Sequence, residues 1–209
     1  LERRAVPAHT LGMHAAHGTE VLKINPAAPA PAALERAAEV LRRGGLVAFP
    51  TETVYGLGAH ALDATAVARI YTAKGRPATN PVIVHVADAA TAHALAAAWP
   101  PMAERMAQAW WPGPLTMVLP RAACVPEIVA AGGGTVGLRM PNHPVALALL
   151  RTARLPVAAP SANRSSELSP TRAEHVLAVL AGRVDLILDG GPCSAGIEST
   201  VVDLTTTPP

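Results

Sequence analysis

Two hydrophobic periodicities alternate along the chain and predict its secondary structure. Short apolar runs have the length of buried strands and lie at 46–49, 82–86, 115–119, 135–140, 155–159, 184–188 and 200–204. Between them, apolar residues recur every three or four positions, which predicts helices over 31–43, 63–74, 91–99, 102–110, 145–152 and 171–181. Because strands and helices alternate without a repeat of roughly 20–50 residues, we expect one α/β or mixed α+β domain.

Local signals mark where several of these helices begin and end. Pro31 suits the first turn of the first helix, and Gly44-Gly45 ends that helix. Asp63 is placed to cap the second helix. Thr171 with Glu174 three residues later has the pattern of a capping box, which predicts the start of the last helix.

The N-terminal residues carry no such signals. We expect residues 1–24 to form a tail and residues 25–209 to form the domain. Three histidines in the tail, His9, His14 and His17, lack neighbouring carboxylates or cysteines that would complete a metal site. We therefore interpret them as part of a mobile tail.

Composition excludes several classes of protein. Hydrophobic residues make up 50% of the chain and charged residues 15%, which a disordered chain would not have. Aromatic residues make up only 3%, which argues against a surface that stacks the bases of single-stranded nucleic acid. The net charge of +2 is too small to indicate a partner. No run of roughly 18 apolar residues is present, so we expect no membrane-spanning segment.

The two cysteines, Cys124 and Cys193, bear on the cellular compartment. They lack the spacing of a zinc site and are too few for a disulfide framework. Isolated thiols fit a reducing environment, and residues 1–12 lack the apolar core of a signal peptide. We therefore expect a cytoplasmic protein.

The stretch 49–59 is the first candidate for chemistry. A buried strand that stops at Pro50 brings Thr51, Thr53 and Tyr55 to the rim of the sheet, where ligands bind in open α/β folds. The glycines that follow match a relaxed dinucleotide-binding pattern, but they begin seven residues after the strand and lack the acidic residue expected about twenty positions later. We therefore reject a dinucleotide site. An ordinary strand-to-helix loop remains the alternative.

Two cations flank a glycine at the end of the second helix. Lys74-Gly-Arg76 is followed by prolines and by Asn80, which favour a rigid turn. A lysine as a point charge and an arginine as a fork suit a polyphosphate ligand. The alternative is that two cations simply favour the C-terminus of a helix.

Polar side chains also follow or interrupt three later strands. Ser161 and Asn163 come directly after a strand and a proline, and they can bind phosphate oxygens or a nucleotide base; a Ser/Asn-rich turn is the alternative. Arg139 ends a strand and needs an anion or water, which a substrate carboxylate would supply. His85 interrupts a strand and is typical of a core histidine. The carboxylates show no paired spacing that would indicate acid–base catalysis.

Four motifs occur in order along the chain. They are FPTETVYGLG at 49–58, KGRP followed by NP at 74–81, PSAN at 160–163 and STVVD at 199–203. Together they resemble the threonylcarbamoyl-AMP synthase family, the YrdC-like domain, from about residue 30 to the C-terminus. The resemblance implies a twisted mixed β-sheet flanked by helices around a basic concave cavity. It also implies synthesis of threonylcarbamoyl-AMP and pyrophosphate from L-threonine, bicarbonate and ATP, for threonylcarbamoyladenosine modification of tRNA.

The resemblance further implies roles for individual residues. On the ATP side it places Lys74, Arg76, Asn80, Thr135, Ser161, Asn163 and Ser169. Lys74 and Arg76 are also its catalytic pair. Around threonine it places Thr53, His85, Arg139 and Ser199. It implies Mg²⁺ bound with ATP rather than in a protein site, and no organic cofactor.

Other partners and functions follow from the same resemblance. It implies a tRNA or double-stranded RNA partner and downstream threonylcarbamoyl-transferase proteins. A non-catalytic RNA-binding module of the same fold is the alternative function. A carbamoyl-adenylate domain of hydrogenase maturation is a third alternative, but such a domain normally belongs to a much longer chain with zinc-finger segments, for which two cysteines are too few. Two departures from the family are Ser166, where glycine is expected, and an end at 205–209, where relatives continue with a basic segment.

Overall fold

The computed structural model describes residues 13–14, 18–206 and 208, and its centre is one mixed sheet. The ten strands described are β1 Met13–His14, β2 Glu20–Lys23, β3 Val47–Phe49, β4 Gly56–His60, β5 Ile83–His85, β6 Leu115–Pro120, β7 Thr135–Arg139, β8 Val157–Ala158, β9 Leu186–Asp189 and β10 Thr200–Asp203. Their order across the sheet is β1-β2-β9-β3-β4-β8-β5-β7-β6-β10. The sheet contains both parallel and antiparallel pairs, so the predicted mixed sheet is confirmed.

Helices cover both faces of this sheet. They are α1 Pro31–Arg42, α2 Ala64–Lys74, α3 Ala89–Leu95, α4 Pro101–Trp110, α5 Pro144–Ala153 and α6 Ala173–Leu180, with a 3-10 turn at Glu127–Ala130. Successive residues of a strand face opposite sides, so Val47 and Phe49 join the apolar core under α1 and α5, whereas Ala48 joins the core under the other helices. Each predicted helix and strand is present.

Two predicted helix starts have different outcomes. Asp63 caps α2 as expected, because its carboxylate accepts from Thr65 N at 2.9 Å and from Ala66 N at 3.2 Å. The predicted capping box at Thr171 is wrong: α6 begins two residues later and its cap makes no side-chain hydrogen bond. The Thr171 carbonyl accepts instead from Cys193 N, which holds this residue in a tertiary contact outside the helix.

The glycines of the stretch 49–59 form a strand rather than a loop. β4 pairs antiparallel with β3, so the two make a hairpin whose connection is 50–55. A Cβ at Gly58 would lie 2.8 Å from the side chains of Phe49 and Val157, so only glycine lets these side chains pack across the strand. The alternative of an ordinary strand-to-helix loop is therefore wrong, and the polar residues lie at a hairpin tip.

The ordered sheet begins before the predicted domain boundary. Glu20–Lys23, which we expected in a tail over 1–24, form β2 and pair in parallel with β9. This pairing joins residues far apart in sequence, which a short run with two apolar residues does not indicate. His9 and His17 lie outside the described residues, and of His14 only the backbone is described. Among the described residues, no helix has the length and apolarity to cross a membrane.

Candidate active site

A cavity of about 230 Å³ opens where the β3–β4 hairpin tip meets the ends of β5 and β7. Its lining comprises Thr51, Thr53, Val54, Gly56, Arg76, Pro81, Ile83, His85, Arg139, Ala159, Pro160, Ser161, Glu198, Ser199 and Val201. A wider groove of about 620 Å³ lies near the ends of α1 and α5, but none of the predicted site residues lines it. The smaller cavity is therefore the candidate active site.

The structure brings one half of the predicted site together completely. The four residues implied for threonine all line the cavity. Of the residues implied for ATP, only Arg76 and Ser161 line the cavity. The others lie outside its lining: Lys74, Asn80, Thr135, Asn163 and Ser169. The two sides of the site are thus built differently.

Arg139 is the buried cation of the cavity. Its Nη2 lies 2.7 Å from Glu52 Oε1 and donates to Thr53 Oγ1 at 3.0 Å, while Nε donates to the carbonyl of Gly113 at 3.4 Å. The Glu52 contact has ion-pair distance without the alignment of a good hydrogen bond, since neither Glu52 oxygen makes a hydrogen bond within the described part of the chain. Sequence reasoning missed Glu52, although a buried arginine needs a counter-ion and this carboxylate lies beside Thr53.

Thr51 shapes the turn that carries Thr53. Its Oγ1 donates to the carbonyl of Val54 at 2.7 Å and accepts from the backbone N of Thr53 and Val54 at 3.2 Å. The two threonine hydroxyls lie 2.8 Å apart, so Thr53 donates to Thr51 while it accepts from Arg139. The orientation of the Thr53 hydroxyl is therefore fixed by its neighbours.

Tyr55 does not reach the cavity, contrary to the expectation for this stretch. Its side chain is fully buried, and its hydroxyl donates to the carbonyl of Gly191 at 2.7 Å. The hairpin connection therefore divides its hydroxyls between the cavity at Thr53 and the core at Tyr55.

His85 is a neutral, buried member of the site. Burial and then the charge of Arg139 lower its pKa to about 3, so the ring is uncharged at physiological pH. Its Nδ1 is buried and makes no hydrogen bond among the described residues. The interpretation as an ordinary core histidine does not account for this unpaired nitrogen in the lining of a cavity.

Lys74 is directed into the protein. The side chain is only 2% exposed, and Nζ donates to the carbonyls of Ser161 and Asn163, both at 2.5 Å, and to Asn163 Oδ1 at 3.3 Å. Burial and then the charge of Arg76 lower its pKa to about 8. The lysine thereby ties the end of α2 to the 161–163 turn.

Arg76 braces a second turn but keeps contact with the cavity. Its Nε donates to the carbonyl of Asn80 at 3.0 Å and Nη2 to the carbonyl of Pro81 at 2.7 Å. Gly75, between the two cations, has the left-handed φ of 60° that turns the chain out of α2. The rigid turn predicted from the KGR sequence is present.

Of the remaining polar residues, Ser199 and Glu198 line the cavity, whereas Ser169 and Thr135 do not. Ser199 Oγ is 2.8 Å from Thr116 Oγ1, and Ser169 Oγ donates to Glu198 Oε1 at 2.5 Å. Thr135 is at the start of β7, the opposite end of the strand from Arg139. Glu198 is a carboxylate in the cavity lining to which sequence reasoning gave no role.

The loop beyond Asn163 also has a physical explanation for its sequence. The Asn163 amide donates to the carbonyls of Arg164 at 2.9 Å and Glu167 at 2.7 Å. Ser166 within this loop has φ of 68°, the left-handed region that glycine adopts most easily. The glycine expected at this position matches the backbone that the chain adopts.

The fold and site define a mixed α/β protein with a small, arginine-containing cavity at the ends of its sheet strands. Its sequence matches the model of the Sua5/YciO/YrdC family, described as "Telomere recombination", over residues 39–209. The chain belongs to this family, and the family expected from its motifs is confirmed.

Several relatives are close to this chain. The threonylcarbamoyl-AMP synthase of Pyrococcus abyssi is 53% identical over 173 residues, covering 83% of this chain and 51% of that protein. That of Bacillus subtilis strain 168 is 52% identical over 173 residues, covering 81% and 49%. The crystal structure of P. abyssi Sua5 complexed with L-threonine has a TM-score of 0.89 and 49% identity, covering 90% of this chain and 55% of that one. This chain therefore spans about half the length of these relatives.

Proposed function

We propose that this chain carries out L-threonylcarbamoyladenylate synthesis, a nucleotidyl transfer from ATP to N-carboxylated L-threonine. The observation that carries the proposal is the buried Arg139 in a cavity with Thr53, His85 and Ser199, next to Arg76. The cavity, about 230 Å³, is smaller than the roughly 300–1,000 Å³ of pockets for drug-sized ligands, which suits a substrate as small as an amino acid. The names of the relatives support this choice of reaction.

The threonine side offers groups for each part of the substrate. The guanidinium of Arg139 suits the α-carboxylate, because arginine pairs strongly with carboxylates. The hydroxyls of Thr53 and Ser199 suit the substrate hydroxyl or amine. Neutral His85 adds a polar edge without a second positive charge, so it does not repel the substrate ammonium.

The reaction then balances with two bond exchanges. The amine of threonine and bicarbonate give a carbamate and water. A carbamate oxygen attacks the α-phosphorus of ATP, and the bond from that phosphorus to the β-phosphate oxygen breaks to release pyrophosphate. Such a transfer depends mainly on positioning and charge neutralisation, so it needs no paired carboxylates.

On the nucleotide side, we assign Arg76 and Ser161 to direct contact with phosphates. The roles of Asn80, Thr135, Asn163 and Ser169 toward ATP stay part of the proposal. Among the described residues, no three His, Cys, Asp or Glu side chains lie together as a metal site. The metal enters the proposal as MgATP, a substrate, because Mg²⁺ is commonly bound through substrate phosphates.

The wider context of the proposal is tRNA modification in the cytoplasm. A tRNA or double-stranded RNA and a downstream transferase are the partners that the product implies. Both cysteines are free thiols, which supports a reducing compartment.

Pyrophosphate release by the purified chain tests the proposed reaction. ATP, threonine and bicarbonate are supplied together and then omitted one at a time. We expect release to need all three, and serine to replace threonine poorly. Release that is indifferent to threonine would overturn the proposal.

A further inference from the structure

We infer that Glu52 is a positioning residue that holds the guanidinium of Arg139 in one orientation, with one edge fixed by protein and the other open to the cavity. The inference deepens the proposed function, on which it rests for the identity of the bound carboxylate. Glu52 itself does not line the cavity and contacts the substrate only through Arg139.

The donors of Arg139 divide between the protein and the cavity. Nη2 is engaged by Glu52 and Thr53, and Nε by the carbonyl of Gly113. Nη1 makes no hydrogen bond with any described residue. It is also absent from the described nitrogen and oxygen atoms that are both buried and unpaired, so it remains accessible. Since Arg139 lines the cavity, Nη1 is the donor left for a carboxylate.

Hydrogen bonds to its backbone hold Glu52 in place. Its carbonyl accepts from Ala195 N at 2.8 Å and from Ser194 Oγ at 3.3 Å, and the next carbonyl, that of Thr53, accepts from Gly196 N at 3.0 Å. The residue is therefore fixed between the hairpin tip and the 194–196 loop. A carboxylate anchored in this way can set the angle of the guanidinium that it pairs with.

Burying the carboxylate of Glu52 costs free energy unless the charge is paired with Arg139. Its side chain is only 12% exposed, and Oε2 has no hydrogen-bond partner among the described residues. The neighbouring His143 does not compensate for this: its buried Nδ1 also lacks a partner among the residues that the structure describes, and burial lowers the pKa of the ring, against the opposing effect of Glu52. A carboxylate kept in such surroundings is explained by its pairing with Arg139.

Glu52→Gln tests the inference through steady-state kinetics. The amide keeps the size of the side chain but removes the charge that holds Nη2. We expect the KM for threonine to rise at least tenfold while the KM for ATP stays within twofold, because only the threonine side loses its orientation. An equal rise in both KM values would show a merely structural role and overturn the inference.

The chain offers a matched control in Glu35. Glu35 pairs with Arg42 at the same 2.7 Å, but on the surface, where both side chains are more than one third exposed. Glu35→Gln removes the same charge from an exposed pair, so both KM values should stay unchanged. A threonine KM that rises as much in this control as in Glu52→Gln would attribute the effect to general charge and overturn the inference.

A measurement without substrate separates this inference from the proposed function. In ¹⁵N NMR spectra, the guanidinium signals of Arg139 should show slow rotation about the guanidinium C–N bonds in the wild-type chain. These signals are assigned by their loss in Arg139→Lys. They should become averaged in Glu52→Gln. Rapid rotation in the wild type overturns the positioning role, even where Glu52→Gln fails to fold. A wild-type chain that shows slow rotation but no threonine-dependent reaction contradicts the proposed function alone.

Discussion

The two sides of the cavity use their cations in opposite ways. On the threonine side, Arg139 is buried against Glu52 and Thr53 and leaves one nitrogen for a ligand. On the nucleotide side, Lys74 and Arg76 donate to backbone carbonyls of two loops. The first arrangement orients a side chain, whereas the second orients the backbone around the site.

This difference teaches that a cation in such a motif can be paired entirely with protein atoms. The Nζ of Lys74 is surrounded by three protein oxygens, so in the proposed function it acts on ATP through the 161–163 turn. Arg76, which also lines the cavity, combines both roles. The catalytic pair expected from the motif therefore consists of two residues with different physical tasks.

The largest effect is expected for Arg139→Gln, which removes the cation of the threonine side. Glu52 would remain as a buried charge without a partner, so we expect a loss of about 3–5 kcal/mol in the free energy of unfolding. Threonine binding should fall below detection. Urea unfolding and calorimetry measure the two effects, and Arg172→Gln, in an exposed pair with Glu174, should cost less than about 1 kcal/mol. A stable Arg139→Gln chain that still binds threonine would contradict the comparison.

A smaller loss is expected for Lys74→Met, which tests the bracing role of the nucleotide side. The carbonyls of Ser161 and Asn163 would lose their donor, at a cost of about 1–3 kcal/mol in unfolding free energy. Hydrogen exchange should accelerate at 161–167, and ATP affinity should fall because the loop is loosened. The only other lysine, the exposed Lys23, supplies the control Lys23→Met. Unchanged exchange at 161–167 would show that Lys74 does not brace the loop.

Most helices and strands, and the approximate position of the site, could be predicted from the sequence. Strands that stop at prolines, a cation pair at a helix end and a strand-end arginine were all readable from local pattern. Glu52 was not, because its pairing with Arg139 joins the hairpin tip to a distant strand end. The direction of the Lys74 side chain was also hidden, since it depends on how the 161–163 turn folds back over α2. β4 was missed because its glycines, which permit packing of Phe49, are poor strand formers by composition.

Arg76→Ala should mainly affect nucleotide binding and so separate the two cations of that side. We expect ATP affinity to fall about tenfold, a change of about 1.4 kcal/mol, while threonine affinity stays the same. Isothermal titration calorimetry measures both. Arg69→Ala is the matched control, since Arg69 lies on α2 but pairs with Asp185 away from the cavity. Unchanged ATP affinity in Arg76→Ala would remove this residue from the nucleotide site.

The smallest effect concerns the charge state of His85 on the threonine side. Its pKa in the folded protein, about 3, lies below the ordinary value of 6.5, so the unfolded chain binds the additional proton between these values. The free energy of unfolding is therefore highest above pH 6.5. It decreases as the pH falls, because only the unfolded chain then gains a proton at His85. Between pH 6.5 and 5.5 we expect His85 to account for a decrease of about 1 kcal/mol in the free energy of unfolding.

The difference between wild type and His85→Asn isolates this residue from the other histidines. Urea unfolding of both chains at pH 7.5, 6.5 and 5.5 should show a steeper loss of stability in the wild type. Threonine affinity of the wild type should stay flat across the same range, because the ring is neutral in the folded protein throughout. An affinity that changes sharply near pH 6.5 would mean that His85 titrates in the site, and the threonine side would then hold a second cation beside Arg139.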